Sequence, residues 1–466
     1  MAKKSFKAPN TIVLMFIIMI SVAGLTWIIP AGEYDRTMQD GREVVVPSGY
    51  NEVEGEPATI FDLFLVPFKG FTESDAVAII VFILFVAGSF SIIEETGTLR
   101  QIIQRAARFF NRNEKVRPMF IPFFMLLFSI MGSTFGMSEE TIVFIPLFVG
   151  LSLALGYDAI VGISIPFIGA GLGFAGAVYN PFTVGIAQGL AEIPIFSGAG
   201  FRFVLWLTIT SVGILLISLY GKKIYKNPEL SSTFKTDKKR REEFHFNLDE
   251  QSPLTGAQWA ILMMFLGGMA LLIIGVKLWG WYIMELATLF LVMGIAAALI
   301  SRMDGDTAVD AFIKGMNNVM GAAIVVALSK GLLILMADAK IIDSVLHSLS
   351  SVIGDLAPVV SANLMLGVQT LINFFIPSGS GQAALTIPIM APLGDIIGLS
   401  RQTIVLIYQL GDGITNLIIP TSGVTLGVLG MAKVEWDQWA KWLLPKILVL
   451  YGVAMVFISA AIVIGY

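Results

Sequence analysis

The chain has 466 residues, of which 56% are hydrophobic and only 14% charged, with a mean hydropathy of +0.81. Soluble domains run to about 45–50% apolar and ~25% charged residues, so this is a polytopic membrane protein. A net charge of −4 argues against nucleic acid as a partner. Zero cysteines exclude disulfides and thiolate metal sites, and two isolated histidines, His245 and His347, make no metal or catalytic cluster.

A transmembrane helix needs about 20 mostly apolar residues. Spans are expected over 11–30, 76–95, 159–180, 200–221, 256–276, 281–301, 311–336, 402–430 and 440–464. The first follows Lys3, Lys4 and Lys7; its length and the lack of an Ala-x-Ala cleavage site mark a retained helix rather than a signal peptide. Two more apolar stretches, 118–156 and 358–398, are interrupted by Gly/Ser-rich sequence and read as re-entrant hairpins.

Lysine and arginine mark the cytoplasmic side. The N-terminus is expected inside. Residues 31–75 carry Arg36, Arg42 and Lys69 against ten acidic side chains, as expected outside. Arg100, Arg105, Arg108, Arg112, Lys115 and Arg117 place the next connection inside, and the basic run from Lys222 to Arg241 places 222–255 inside too. That segment separates the two halves and reads as a mobile linker. The organisation is then an N-terminal helix and extracytoplasmic segment (1–75), a first repeat (76–221) and the cytoplasmic linker (222–255). A connecting helix pair (256–301) and a second repeat (302–466) follow.

The repeats are most visible at the hairpin tips. Gly-Ser-Thr-Phe-Gly-Met-Ser-Glu-Glu-Thr (132–141) and Pro-Ser-Gly-Ser-Gly-Gln-Ala-Ala-Leu-Thr (377–386) lie 242 residues apart, and at that spacing Ser138 falls on Ser380 and Pro146 on Pro388. Leu99, Ile103 and Phe110 likewise fall on Ile341, Val345 and Val352, so an amphipathic pattern survives. The basic residues between them collapse to Lys340 alone. A repeat that keeps its hydrophobic period and loses its positive charge has changed sides of the membrane, the mark of inverted topology.

After each hairpin comes a span that is itself broken. Gly169, Gly171, Gly173 and Gly176 precede Tyr179-Asn180-Pro181-Phe182-Thr183; Gly411-Asp412-Gly413-Ile414-Thr415-Asn416 precedes Pro420-Thr421-Ser422-Gly423. Polar, glycine-rich backbone is tolerated in hydrocarbon only where protein or a water-filled cavity satisfies it. Paired breaks of this kind point to a transporter's substrate site. Half-helix N-termini there favour a carboxylate, and half-helix C-termini favour Na⁺ or a cationic group. Isolated glycines such as Gly24 and Gly294 are read as helix packing. The expected substrate-binding set is Ser133, Thr134, Ser138, Glu139, Glu140, Tyr179, Asn180, Thr183, Ser378, Ser380, Gln382, Asp412, Asn416, Thr421 and Ser422. A Na⁺ is expected near Gly136, Asn180, Gly379 and Asn416. Glu139, Glu140 and Asp412 sit beside the breaks with no lysine or arginine among them, while Arg202 and Lys330 are read as structural or snorkelling. Glu139 or Glu140 could instead cap a half-helix, and Glu285 is expected at the membrane interface.

At these residues the chain resembles the ion transporter superfamily. Within it, 133–141, 373–382 and 411–416 resemble the C4-dicarboxylate anaerobic carrier-like family, in its YfcC / arginine–ornithine antiporter-like branch. The resemblance implies a homodimer with a scaffold part and a moving transport part, working as an elevator in the inner membrane. Dicarboxylate members of the superfamily often carry Ser-Asn-Thr at each hairpin tip, where this chain has Gly-Met-Ser-Glu-Glu and Ser-Gly-Ser-Gly-Gln. The expectation is therefore a helical membrane protein of inverted repeats, each with a re-entrant hairpin and a broken helix. It would exchange amino acids, basic ones above all; the alternative is a Na⁺- or H⁺-coupled carrier of C4-dicarboxylates or other carboxylates. No metal spacing, nucleophile elbow or phosphate loop suggests an enzyme, and no resident cofactor is expected beyond Na⁺ or H⁺ as coupling ion.

Overall fold

The structure, a computed structural model, describes residues 11–39, 42–113, 115–244, 253–353 and 357–466. Lys3, Lys4, Lys7 and His245 lie outside these, as does the side chain of Val352. The two halves run through one order of elements. The first has a long helix Ser74–Glu95, an amphipathic helix Thr98–Arg112, hairpin arms Phe120–Phe135 and Ile145–Ala154, a broken helix Ala159–Leu190, and a long helix Ala199–Lys226. The second has Gly305–Asp338, Ile342–Ile353, arms Pro358–Phe375 and Gly379–Ile396, a broken helix in halves Arg401–Thr415 and Gly423–Ala432, and Trp436–Ile464. Five membrane-crossing elements separate the start of the first half from the start of the second. The number is odd, so the halves enter from opposite faces.

Both hairpins turn back on themselves. In hairpin 1, Phe124 meets Phe148 at 5.1 Å and Phe128 meets Phe144 at 5.1 Å, an antiparallel order. Edge-to-face pairs like these contribute roughly 0.5–1.5 kcal/mol each beyond their burial. In hairpin 2 the Gln382 amide donates across to the Gln369 carbonyl at 2.9 Å. The broken helices end and restart as separate helices: Ala177 takes a left-handed conformation (φ 37°), and Ser422 caps the restart of the second. At the start of the second half, the Thr307 hydroxyl and amide both donate to Asp304, which holds that carboxyl below its ordinary pKa.

Small residues lock the helices into two groups. In one, Gly305–Asp338 packs along Ser74–Glu95, Ile60–Thr72 and Thr11–Leu25; a Cβ at Gly331 would lie 2.7 Å from the Val66 carbonyl. In the other, the hairpins, broken helices and following long helices pack together, and a Cβ at Gly413 would lie 2.6 Å from Ala175 Cα. Where the groups meet, Gly423 and Gly430 face the side chains of Ile79, Val326 and Ala322 rather than backbone. Gly294 packs on Ser89, as a helix-packing glycine should, whereas Gly24 has nothing near it.

Two features go beyond the sequence reading. The polar stretch after the first helix is a two-stranded antiparallel ribbon, Gly32–Gln39 with Arg42–Glu52. It is fastened to the amphipathic helix of the second half: the Tyr34 amide donates to Asp343 at 2.9 Å, Arg36 pairs with Asp343 at 2.7 Å, and Tyr50 stacks on His347 at 3.9 Å. The ribbon also packs against the arm Gly379–Ile396. The second feature corrects the expectation of a mobile linker, because residues 228–244 are folded and docked. Asp237, buried, accepts from the Ala159 amide at 3.0 Å, and Arg240 donates to the Lys433 carbonyl at 3.0 Å. Charge decided that docking, since acid met a helix N-terminus and base a helix C-terminus.

Candidate functional site

The tip of hairpin 1 is built on break 1, the gap in the first broken helix. Gly136 ends the first arm in a left-handed conformation (φ 72°), donating to the Gly132 carbonyl at 3.1 Å. A Cβ there would lie 2.6 Å from Asn180 Oδ1, so only glycine lets the tip close on the break. The Ser133 carbonyl accepts from the Tyr179 amide at 3.0 Å and its hydroxyl from the Val178 amide at 3.3 Å. Asn180 Oδ1 accepts from the Phe182 amide at 2.9 Å, starting the second half-helix. Glu140 accepts from the Ser138 amide at 2.9 Å, in the short turn of helix Glu139–Phe144 that leads into the returning arm.

Hairpin 2 meets break 2 in a matching way. Thr421 donates to the Phe374 carbonyl at 2.6 Å, and residues 179 and 421 stand at the same 242-residue spacing as the tips. Ser378 caps the returning arm by accepting from the Gly381 amide at 3.4 Å. The Gly379 carbonyl accepts from Tyr408 Oη at 2.6 Å. A Cβ on Gly379 would lie 2.6 Å from Thr183 and 3.2 Å from Asp412 Oδ2, so this tip touches both broken helices. Asp412 is fully buried and accepts from Asn416 Nδ2 at 2.8 Å. Tips and breaks of both halves thus converge.

Of the expected residues, Glu140, Asn180, Thr183, Gln382, Asp412, Thr421 and Ser422 are buried there, as is Ser133, whose groups are spent on the tie just described. Ser138, Glu139 and Asn416 are half-buried at the same place. Thr134 is exposed and donates to its own helix at the Ile130 carbonyl, 2.7 Å away. Ser378 and Ser380 are exposed, and Tyr179 is half-exposed against Phe196. Among the positions marked for Na⁺, Gly136 lies on Asn180, and Gly379 beside Thr183 and Asp412. Glu285 accepts from the Tyr282 amide at 3.0 Å, a helix-start cap.

The sequence reading missed Gln369 and Asn373, on the hairpin arm Pro358–Phe375, and Tyr408 and Gln409, on the half-helix Arg401–Thr415, all buried beside the breaks. It also misplaced Arg202. That guanidinium is 1% exposed and donates to the carbonyls of Ala177 (3.1 Å) and Val178 (3.2 Å), so a cation does stand beside break 1. Sequence distance hid it, because the helix that carries Arg202 begins only after the broken one ends.

Several buried polar atoms around the breaks have no protein partner: Asn180 Nδ2, Thr183 Oγ1, Asn373 Oδ1, Gln382 Oε1, Gln409 Oε1, Asp412 Oδ2 and Asn416 Oδ1. A dry, unpaired polar atom costs about 1–3 kcal/mol, so such a group gathered in one place marks where something polar binds.

The family profile described as "C4-dicarboxylate anaerobic carrier" (DcuC) matches residues 8–463. A protein of Escherichia coli (strain K12) named "Putative basic amino acid antiporter YfcC" is 35% identical, the match covering 98% of this chain and 97% of that one. An uncharacterized protein of Haemophilus influenzae (strain ATCC 51907 / DSM 11121 / KW20 / Rd) is 28% identical over 99% and 98% of the two chains. Among solved structures, the Alcanivorax borkumensis YdaH transporter is similar at a TM-score of 0.43 and 17% identity, covering 98% of this chain and 99% of that chain. Neisseria gonorrhoeae MtrF is similar at 0.44 and 16%, over 97% and 95%. With its paired hairpins, broken helices and full-length match, the chain is a membrane transporter that belongs to the C4-dicarboxylate anaerobic carrier family.

Proposed function

We propose that this transporter exchanges basic amino acids, with Glu139 and Asp412 receiving the cationic side chain. One observation carries the reading: the unpaired buried atoms at the breaks are mostly acceptors. Their orientation is set by the amide groups around them. Asn373 Nδ2 donates to the Asp412 carbonyl at 3.0 Å, Gln382 Nε2 to Gln369 at 2.9 Å, and Gln409 Nε2 to the Phe174 carbonyl at 2.7 Å. Each amide thereby turns its oxygen to the site, and with two carboxylates beside them the lining calls for a donor-rich cargo. A guanidinium or ammonium supplies that, while a half-helix N-terminus takes the α-carboxylate. The name of the E. coli relative points the same way.

The test is counterflow in proteoliposomes loaded with arginine or ornithine. A hydrogen bond to a charged group contributes about 1.5–3 kcal/mol, so Asp412→Asn or Glu139→Gln should weaken arginine roughly 10–150-fold. Citrulline, the neutral isostere, should change little. Equal loss for both compounds, or no loss for either, defeats the assignment.

A second reading keeps the site and changes the cargo. Two half-helix N-termini, at Asn180 and Ser422, suit two carboxylates. A C4-dicarboxylate would then travel with Na⁺ or H⁺ beside Asp412, and the same substitutions would alter ion dependence instead.

The motion we propose is an elevator in a homodimer of the inner membrane. Backbone-to-backbone locking within each helix group, and aliphatic contact between them, favours one group sliding along the other. In this arrangement the loops bearing Arg105 and the linker are cytoplasmic, and the ribbon with His347 is outside. Single cysteines at 105 and 347 should react with an impermeant reagent from opposite faces.

A further inference from the structure

Arg202 is a buried cation of an unusual kind. Among the described residues no carboxylate pairs with it. Its partners are the carbonyls of Ala177 (3.1 Å), Val178 (3.2 Å) and Ser197 (2.7 Å), and the hydroxyl of Tyr466 (3.1 Å). An isolated charge in such a place costs several kcal/mol unless something compensates it. Here the compensation is the carbonyl end of a half-helix, whose dipole carries about half a negative charge. Ala177 contributes through its left-handed conformation (φ 37°), which a residue with a Cβ adopts only at a cost. Its carbonyl accepts from the guanidinium, so the strained residue and the cation are parts of one arrangement.

Break 2 is finished differently. There the carbonyls past the end of the half-helix accept from neutral groups, Asn416 from Thr425, Leu417 from Trp439 Nε1 at 2.9 Å and Ile418 from Trp436 Nε1 at 2.8 Å, and Asp412 keeps one carboxylate oxygen unpartnered. The two breaks are thus opposite in electrostatic condition: the first already holds a fixed positive charge, the second lacks one.

We propose that Arg202 stands in for a bound cation at break 1, so that the protein takes up a free cation or cationic group only at break 2. The inference rests on the reading of the breaks as a solute site and deepens it. A carrier with one ion place permanently filled by its own side chain needs no ion from solution there. Arg202 is a positioning residue in this account, since it holds the Ala177–Val178 carbonyls and through them Asn180.

Purified protein in detergent, without any transport step, provides the test. In the wild type, NaCl against choline chloride at equal ionic strength should give a single-site Na⁺ dependence of thermal stability, or none. Arg202→Gln should gain a further Na⁺-dependent rise in Tm, because the vacated carbonyls then need a cation, while Arg202→Lys should stay like the wild type. A folded Arg202→Gln whose Tm ignores Na⁺ overturns the proposal. If Arg202→Gln does not fold, the wild type decides alone: two Na⁺ per protein, by titration, overturns the proposal, and one or none upholds it. Arginine counterflow by the wild type is measured in parallel. Its absence would defeat the proposed cargo and leave the Na⁺ result standing.

Discussion

Asn180 is held at the meeting point of a glycine, a half-helix start and an orphaned amide nitrogen, so small changes around it should be felt at the site. Gly136→Ala adds a methyl group 2.6 Å from Asn180 Oδ1 in a left-handed turn (φ 72°). Overpacking costs about 1–3 kcal/mol, and a left-handed non-glycine adds roughly 1–2. We expect a cargo affinity at least tenfold weaker in a binding assay, with folding judged by size-exclusion profile. Gly24→Ala, with nothing within 4 Å, should leave affinity unchanged. Residues of this class were legible in the sequence because breaking a membrane helix requires Gly, Pro and Asn, and those are conspicuous among Leu and Ile. Gln369, Asn373 and Gln409 were not, since they sit within the regular turns of the arm Pro358–Phe375 and the half-helix Arg401–Thr415, where no break marks them. Glu140, read as either ligand or cap, accepts from the Ser138 amide at the hairpin tip.

At the scale of elements, the linker helix Phe234–Phe244 bridges pieces of both halves. Asp237 accepts from the amide that starts the first broken helix, Arg240 donates to the carbonyls that end the second, and Arg241 donates to the carbonyl of Leu153. Removing Asp237 strands the Ala159 amide and the Thr233 hydroxyl in a buried setting. Asp237→Ala should therefore cost about 1–3 kcal/mol, read as a lowered Tm, while exposed Lys235→Ala should stay within roughly 0.5 kcal/mol. The charge pattern set this segment apart from the apolar spans, yet composition alone could not reveal that its charges have fixed partners. The ribbon Gly32–Glu52 escaped for a related reason. Its fastening to Asp343 and His347 lies some three hundred residues away, a distance at which periodicity carries no information.

For the whole molecule, the sequence disclosed the inverted architecture because a lost positive charge over a retained hydrophobic pattern is a property of the sequence itself. The division into two helix groups, on which the proposed sliding motion rests, is a property of packing that periodicity does not record. The contact between Gly430 and Ala322, where a Cβ would lie 2.9 Å from its neighbour, joins the two helix groups. In this cysteine-free chain, Gly430→Cys with Ala322→Cys should form a disulfide on oxidation and stop exchange, with activity restored by reductant. Exchange that continues after complete cross-linking would remove the sliding interface from consideration. The unpaired atoms at the breaks bear on the return half of the cycle. A carrier that closes over them with nothing inside strands five acceptor oxygens, one of them on a carboxylate, and at about 1–3 kcal/mol each that penalty is comparable with the stability of a small protein. In the proposed exchange cycle, that penalty holds back the unloaded carrier until a second molecule, or enough water, fills the space. Under the exchange we propose, travelling vacant is the carrier's least favourable state, which ties the passage of one cargo to the return of another.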